Sequence, residues 1–513
     1  MRSLLLIKIF LSIVLLFSAA ATHATTYYID YESGNDANNG TSTTAPWQHL
    51  PGMGGCVASC AAARPQAGDH IILKGGVTWP NAVFPIIWNW SGASGNPIYI
   101  GVNQTWYAGG SWARPVFDAG GTQIAGTFNG FIKIQNTNYV TIDQIEMKGL
   151  YWTGNPAYGT LNYINAYGST YLSLTNDYFH GWSHDTYANG TRDALDVVLG
   201  MSGAPFNQGS VVDHCIFDGS PNGTDSAGAV YAWPTVTNSV ARNMANGFLT
   251  NGLVSTVSGS TVGPINQSFD SSMHENCIEP VGDTGTVFVF NNVIHDCTAV
   301  SFLSGPSNSP TAPLATYFFN NVLWSSGSSA PIPIQIDQRS PSSDISAYVY
   351  NNTAYSPNNN TCIRLLNRGS GANNVIDIRN NFCITGGSAI DLGPGATTLT
   401  NANNVTMTAA QATTAGMSLS EAFPYEPLSS NCGGAANCPV GQGQNLSGLA
   451  NGNLAALAND TPFGCTVDAS YQVACPARAM NVRGQTWAAG AYQVGSTSSQ
   501  VPNPPTGLVA TVN

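Results

Sequence analysis

The stretch VFVFNNVIHDC, from Val287 to Cys297, alternates apolar side chains, stops at an Asn pair and resumes as a second short apolar run. Alternation over so few residues is the mark of a strand with one buried face. Strand-turn geometry accounts for the Asn pair. The same pattern returns as TYFFNNVLW from Thr316, AYVYNNTAY from Ala347 and VIDIRNNFCI from Val375. Looser copies precede it: VTIDQIEMKG from Val140, LSLTNDYFHG from Leu172, VVDHCIFDGS from Val211 and TVTNSVARN from Thr235. Gly, Ser and Pro fill the connections.

A further series of short strands follows these copies: ALDVV from Ala194, AVYAW from Ala229, CIEPV from Cys277, AVSFL from Ala299, PIQID from Pro333, CIRLL from Cys362 and AIDLG from Ala389. Several are spaced by roughly 20 to 35 residues, the length of one solenoid coil with variable loops. One coil cannot bury its apolar face alone. Stacking solves this, because each inward side chain meets its counterpart on the next coil and Asn at the turn can form a hydrogen-bonded ladder. The repeat predicts a single all-β domain over residues 25–498. Cys277 and Cys362 open equivalent strands with two coils between them, roughly 14 Å apart at about 4.8 Å a layer, which excludes a disulfide joining them.

The ends and the composition narrow the class. Arg2, an apolar run from Leu4 to Phe17 and small residues after it read as a secretory signal over residues 1–24, with cleavage after Ala24. An exported protein with no membrane span is expected, and a monomer. The chain has 513 residues, 8% of them charged, with a net charge of −12. Its four lysines and acidic balance exclude nucleic acid as a partner. Of 11 cysteines, Cys56 with Cys60, Cys432 with Cys438 and Cys465 with Cys475 are local pairs suited to disulfides. Cys215, Cys277, Cys297, Cys362 and Cys383 lie in apolar strand patterns, where free thiols behave as small hydrophobes.

The opening YYIDYESGNDANNGTSTTAPWQHL from Tyr27, the segment AGDHIILKGGVTW from Ala67 and the ending RGQTWAAGAYQ from Arg483 resemble the flanks of secreted bacterial β-helix proteins of the pectin-lyase-like superfamily. The resemblance implies a single-stranded right-handed parallel β-helix with an N-terminal cap and a loop-rich C-terminal end. It specifies fold better than activity, because the superfamily includes lyases, hydrolases, epimerases and adhesins. The ending departs in Ala488, where such proteins often carry an acidic residue. VVDHC, from Val211, is similar to a pectate lyase strand but lacks its Trp, and no RxPxxR-like segment follows, so Asp213 and His214 receive no catalytic role. The paired-aspartate and Gly-His-Gly motifs of polygalacturonases are absent too. Residues 499–513, with PNPPTGLVATV from Pro502, resemble the first strand of a fibronectin type III module and read as a disordered tail.

In that superfamily carbohydrate lies along the outside of one sheet. The outward positions of the second strand series give a column of Asp196, Tyr231, Glu279, Ser301, Gln335, Arg364 and Asp391. Strand alternation alone also yields polar outward residues. SSMHENCIEP adds His274 and Glu275 just before Glu279, so Glu279, Asp196, His274 and Glu275 are the catalytic candidates. Two carboxylates flanking a glycosidic bond can serve as acid and as base or nucleophile. A lyase instead needs a base and a cation to neutralise a uronate, for which Arg192, Arg242, Arg339 and Arg364 are available. Calcium, the one candidate cofactor, has potential oxygen ligands in Asp185, Asp193 and Asp196, although the spacing is not an EF-hand loop. Tyr231, Arg364, Gln335, Trp233 and Trp182 are candidates for holding a polysaccharide, with Trp152, Tyr187 and Trp324 as further rings able to stack on sugars. A carbohydrate-active enzyme, hydrolase ahead of lyase, is the first reading; a non-catalytic surface or adhesion protein is the second.

Overall fold

The computed structural model describes residues 24–494 except 127, 129, 153–161, 185–195, 201–206, 220–226, 266–274, 282–284, 306–313, 327–330, 338–344, 357, 360, 367–374, 394–397 and 419–423. The coil that contains VFVFNNVIHDC shows how the chain is wound. Gly285–Phe290 lies in a first sheet, Val293–His295 in a second and Val300–Ser304 in a third. Repetition builds two parallel sheets of 13 strands and a third of 11, each strand paired with its counterpart one coil away. The protein is a right-handed parallel β-helix, as the repeat and the resemblance implied.

The Asn pairs make the corner between the first and second sheets. Asn291, Asn320, Asn351, Asn380 and Asn403 take positive φ, a conformation that Asn enters at lower cost than most residues. The second Asn of each pair turns inward. The Asn292 amide nitrogens donate to Asn321 Oδ1 at 3.0 Å, Asn321 repeats the contact with Asn352, and Asn352 with Asn381. Burial makes each of these bonds costly to lose. The pairs thus have the structural role expected of them. His214, also at positive φ, occupies the same corner, its Nδ1 2.8 Å from Asp213 Oδ2.

Inside, like residues stack on like. Phe117, Met147, Phe179, Phe217, Ala241, Val262, Ile294 and Leu323 form one continuous inward row of the second sheet, all essentially buried. At roughly 1.5 to 3 kcal/mol for each large apolar side chain buried, such rows outweigh the few ion pairs on this surface.

Cysteine pairing differs from expectation at one point. The three local disulfides form, but Cys277 is bonded to Cys297 rather than free. Cys277 opens a third-sheet strand and Cys297 follows the second-sheet strand one coil later, so stacking brings residues 20 apart in sequence to a Cα separation of 5.8 Å. Cys215, Cys362 and Cys383 are buried thiols.

The C-terminal segment does more than close the end. It runs back along the outside of the Asn corner: Asn403 donates to Gln442, Asn380 to Gln444, Asn320 to Ala456 and Asn459, and Thr261 to Cys465. Phe319 and Tyr350 of the first sheet are sealed beneath Leu446, Leu457 and Trp487. Arg483 locks this strap. It is 2% exposed and donates to the carbonyls of Asn459, Ala488, Gly490 and Ala491, and burial pulls its guanidinium down to about 10.

Candidate active site

Among the described residues the C-terminal strap makes no such contacts with the third sheet. The inward row of that sheet is Val198, Val230, Phe248, Ile278, Phe302, Ile334 and Ile363. One residue further on, alternation turns the side chain outward. Leu199, Tyr231, Leu249 and Glu279 stand in register, Leu303 follows, and Gln335, Arg364 and Asp391 continue the column. Tyr231, Glu279, Gln335, Arg364 and Asp391 therefore share one column.

Asp196 and Ser301 do not belong to it. Asp196 pairs with Gly228, three residues ahead of Tyr231, and Ser301 lies two residues ahead of Leu303. The third sheet also holds a strand, Asn246–Thr250, that sequence reading passed over. Its NGFLT lacks the alternating aliphatic pattern of its neighbours.

Asp196 heads a neighbouring column with Gly228 and Asn246. Asn276 continues it, its backbone N–H donating to Asn246 Oδ1 at 3.3 Å. A Cβ on Gly228 would lie 2.5 Å from Asp196 Oδ1, so only glycine leaves room for this carboxyl over the next coil. Asn276 links the two columns by donating from Nδ2 to Glu279 Oε2 at 2.7 Å. Asp196 and Glu279 are 9% and 8% exposed, set back beneath the surface.

Tyr231 lies between the two carboxyls electrostatically. Its hydroxyl is raised above the ordinary tyrosine range by burial, then by the negative charges of Asp196 and Glu279. Burial pushes Asp196 up to about 7, because a desolvated carboxyl holds its proton. The Asp196 and Glu279 strands are three coils apart, roughly 14 Å between backbones at about 4.8 Å a layer. They are no contact pair.

The other candidates separate. Arg364 is partly exposed with its Nε 3.7 Å from Asp391, and Gln335 pairs with it in register. Glu275 is partly buried with φ 52° in the turn before Glu279. Trp182 and Trp233 are corrections: at 2% and 0% exposure both belong to the core, and neither offers a face to a sugar. Trp182 packs edge-on against Tyr163. Trp324 lies 4.5 Å from His295 in a ring stack, and Arg242 is paired with Asp218 at 2.6 Å, both on the second sheet. His274, Asp185, Asp193, Arg192, Tyr187 and Arg339 lie outside the described residues. Among the described residues no group of three or more His, Cys, Asp or Glu could hold a metal, and no helix is long and apolar enough to cross a membrane.

Sequence reasoning missed Gly228, Asn246 and Asn276. The signal was present only in the register, which requires knowing that Asn246–Thr250 is a strand.

Several solved structures align with the chain at low similarity. Pectate lyase Pel9A aligns at a TM-score of 0.42 and 16% identity, over 80% of this chain and 91% of that one. The lacto-N-biosidase of Eubacterium ramulus aligns at 0.39 and 12%, over 72% and 68%. PfbA, a surface adhesin of Streptococcus pneumoniae, aligns at 0.37 and 11%, over 67% and 79%. No protein-family profile matches the chain. No curated protein matches it in sequence.

Proposed function

We propose that this protein is an extracellular enzyme that cleaves glycosidic bonds of a polysaccharide lying along the outer face of the third sheet. The observation that carries the reading is the outward column in which Tyr231, Glu279, Gln335, Arg364 and Asp391 stand in register, with Asn276 Nδ2 donating to Glu279 at 2.7 Å. Asp196, still partly protonated near pH 7, is suited to protonate a leaving oxygen. Glu279, steadied by Asn276, is the carboxylate of the outward column, and Tyr231 in the same register orients the sugar. Arg364 and Gln335, further along the column, hold the chain of the substrate.

A covalent glycosyl-enzyme needs carboxyls about 5 to 5.5 Å apart, whereas inversion places a water between groups about 6.5 to 9.5 Å apart. Strands three coils apart, roughly 14 Å between backbones at about 4.8 Å a layer, exceed both windows, so the strand spacing selects neither outcome.

Incubating the full-length protein with a panel of acidic and neutral polysaccharides, while following reducing ends and ultraviolet absorbance, tests the class. Reducing ends without absorbance support hydrolysis. Absorbance together with reducing ends would make the protein a lyase, with Arg364 as the cation that neutralises a uronate. Binding with neither signal would make it an adhesion protein.

A further inference from the structure

We propose that Cys362 and Cys383 are the site of a fifth disulfide. Four bonds account for eight of the 11 cysteines and leave Cys215, Cys362 and Cys383 as buried thiols. Two of these three come from the third-sheet and second-sheet strands of neighbouring coils, as the bonded pair Cys277 and Cys297 does. Cys277 precedes Ile278 at the start of a third-sheet strand, and its partner Cys297 follows the second-sheet strand of the next coil. Cys362 precedes Ile363, which occupies the register of Ile278 three coils on. Cys383 lies within the second-sheet strand of the coil after Cys362, in the register of Ile294 and so three residues ahead of the place of Cys297.

The contacts agree with that placement. Cys362 Sγ lies 3.7 Å from the carbonyl oxygen of Ala354, and Ala354 is the sheet partner of Cys383. Burial first and the neighbouring Cys383 side chain second raise the Cys362 thiol. Cys215 differs: its Sγ faces the carbonyls of Leu174 and Asp213 at 3.4 and 3.5 Å, and it is the cysteine that an odd total leaves over.

The oxidant is a small disulfide such as oxidised glutathione. One deprotonated cysteine attacks it, forming a mixed disulfide and releasing one glutathione thiolate. The second cysteine, on losing its proton, attacks the protein sulfur of that mixed disulfide and displaces the other glutathione. Two protein thiols and one glutathione disulfide become one protein disulfide and two glutathione thiols, which take up the two protons. Cys362 is 0% and Cys383 1% exposed, so the exchange precedes closure of the coil around them.

The test is a thiol map of the full-length protein, refolded in a glutathione redox buffer, then denatured in iodoacetamide and digested without reduction. The expected result is a single alkylated cysteine, Cys215, and a peptide pair joined through Cys362 and Cys383. Cys215→Ser should leave no alkylated cysteine, and Cys383→Ser should add Cys362 to the alkylated set. Alkylation of Cys362 and Cys383 in the wild-type protein, or a bond from either to Cys215, would overturn the proposal.

Discussion

Two outer faces of the same helix treat polar residues in opposite ways. At the corner between the first and second sheets polar side chains are committed to structure: Asn to Asn along the ladder, Asn to the strap, Arg483 to four carbonyls. On the third sheet two carboxyls are set back on neighbouring columns, their charges adding to burial in raising Tyr231, and burial pushes Asp196 up to about 7. The first arrangement resembles what stability alone would select. The second costs stability, since a desolvated carboxyl is a penalty in the fold, and such a penalty is commonly found at functional sites. The contrast is therefore testable by substitution.

The largest effect belongs to the third sheet. Asp196→Asn and Glu279→Gln should each lower kcat/KM by about 10² to 10⁴, the usual contribution of a general acid or base, measured as reducing-end release. Asp196→Asn should also raise the melting temperature at pH 8. The wild-type carboxyl binds its proton more tightly folded than unfolded, so its stability contribution falls as pH rises from the ordinary carboxylate value through about 7. Asn does not titrate and escapes that loss. For the wild-type enzyme, kcat/KM should fall as pH rises through about 7, because the acid must be protonated, and the same fall should be missing from the residual rate of Asp196→Asn.

At the corner the signs reverse. Arg483→Ala strands the Ala488 and Gly490 carbonyls, since Asn459 keeps Asn320 and Ala491 keeps Thr461 as donors, at about 1 to 3 kcal/mol for each buried group left unpaired, so chemical denaturation should show a loss of several kcal/mol. Asn321→Ala breaks one rung of the ladder and should cost about 1 to 3 kcal/mol by the same measure. Neither change touches the third sheet. In a protein folded at the assay temperature, kcat should stay within about twofold of wild type.

The smallest effect has an unusual sign. Asp177 occupies the inward ladder position that Asn292 and Asn321 fill in later coils, and its Oδ1 accepts from the backbone N–H of Ile145 at 2.9 Å. Its other oxygen has no partner among the described residues. Burial raises its carboxyl well above the ordinary range. Asp177→Asn should stabilise the protein, with an advantage that grows as pH rises above the ordinary carboxylate value and vanishes below it. A melting series from pH 3 to pH 8 measures this directly.

How much of this was legible in the sequence follows the same division. VFVFNNVIHDC and its copies announce the corner because the ladder demands the same residue in every coil, and repetition is visible without coordinates. The third-sheet column was half legible. Tyr231, Glu279, Gln335, Arg364 and Asp391 fall in one register as read from their strands, but Asp196 was placed three residues out because its partner is a glycine and the intervening NGFLT strand does not alternate. Trp182 and Trp233 misled because a large ring next to a Gly or Pro reads as a loop residue, whereas here the rings fill the interior. The Cys277–Cys297 bond was hidden for a related reason: 20 residues of sequence give no sign that one coil brings them back into contact.

The most direct test of the account sets the two faces against each other in one assay. Reducing-end release from the polysaccharide that the wild-type protein turns over should be measured for Glu279→Gln on the third sheet and Asp213→Asn at the corner, with both variants confirmed as folded by circular dichroism. The account predicts that Glu279→Gln loses at least about 10²-fold and that Asp213→Asn retains the wild-type rate. Unchanged turnover in Glu279→Gln, with loss in Asp213→Asn, would contradict it and move the active site to the corner.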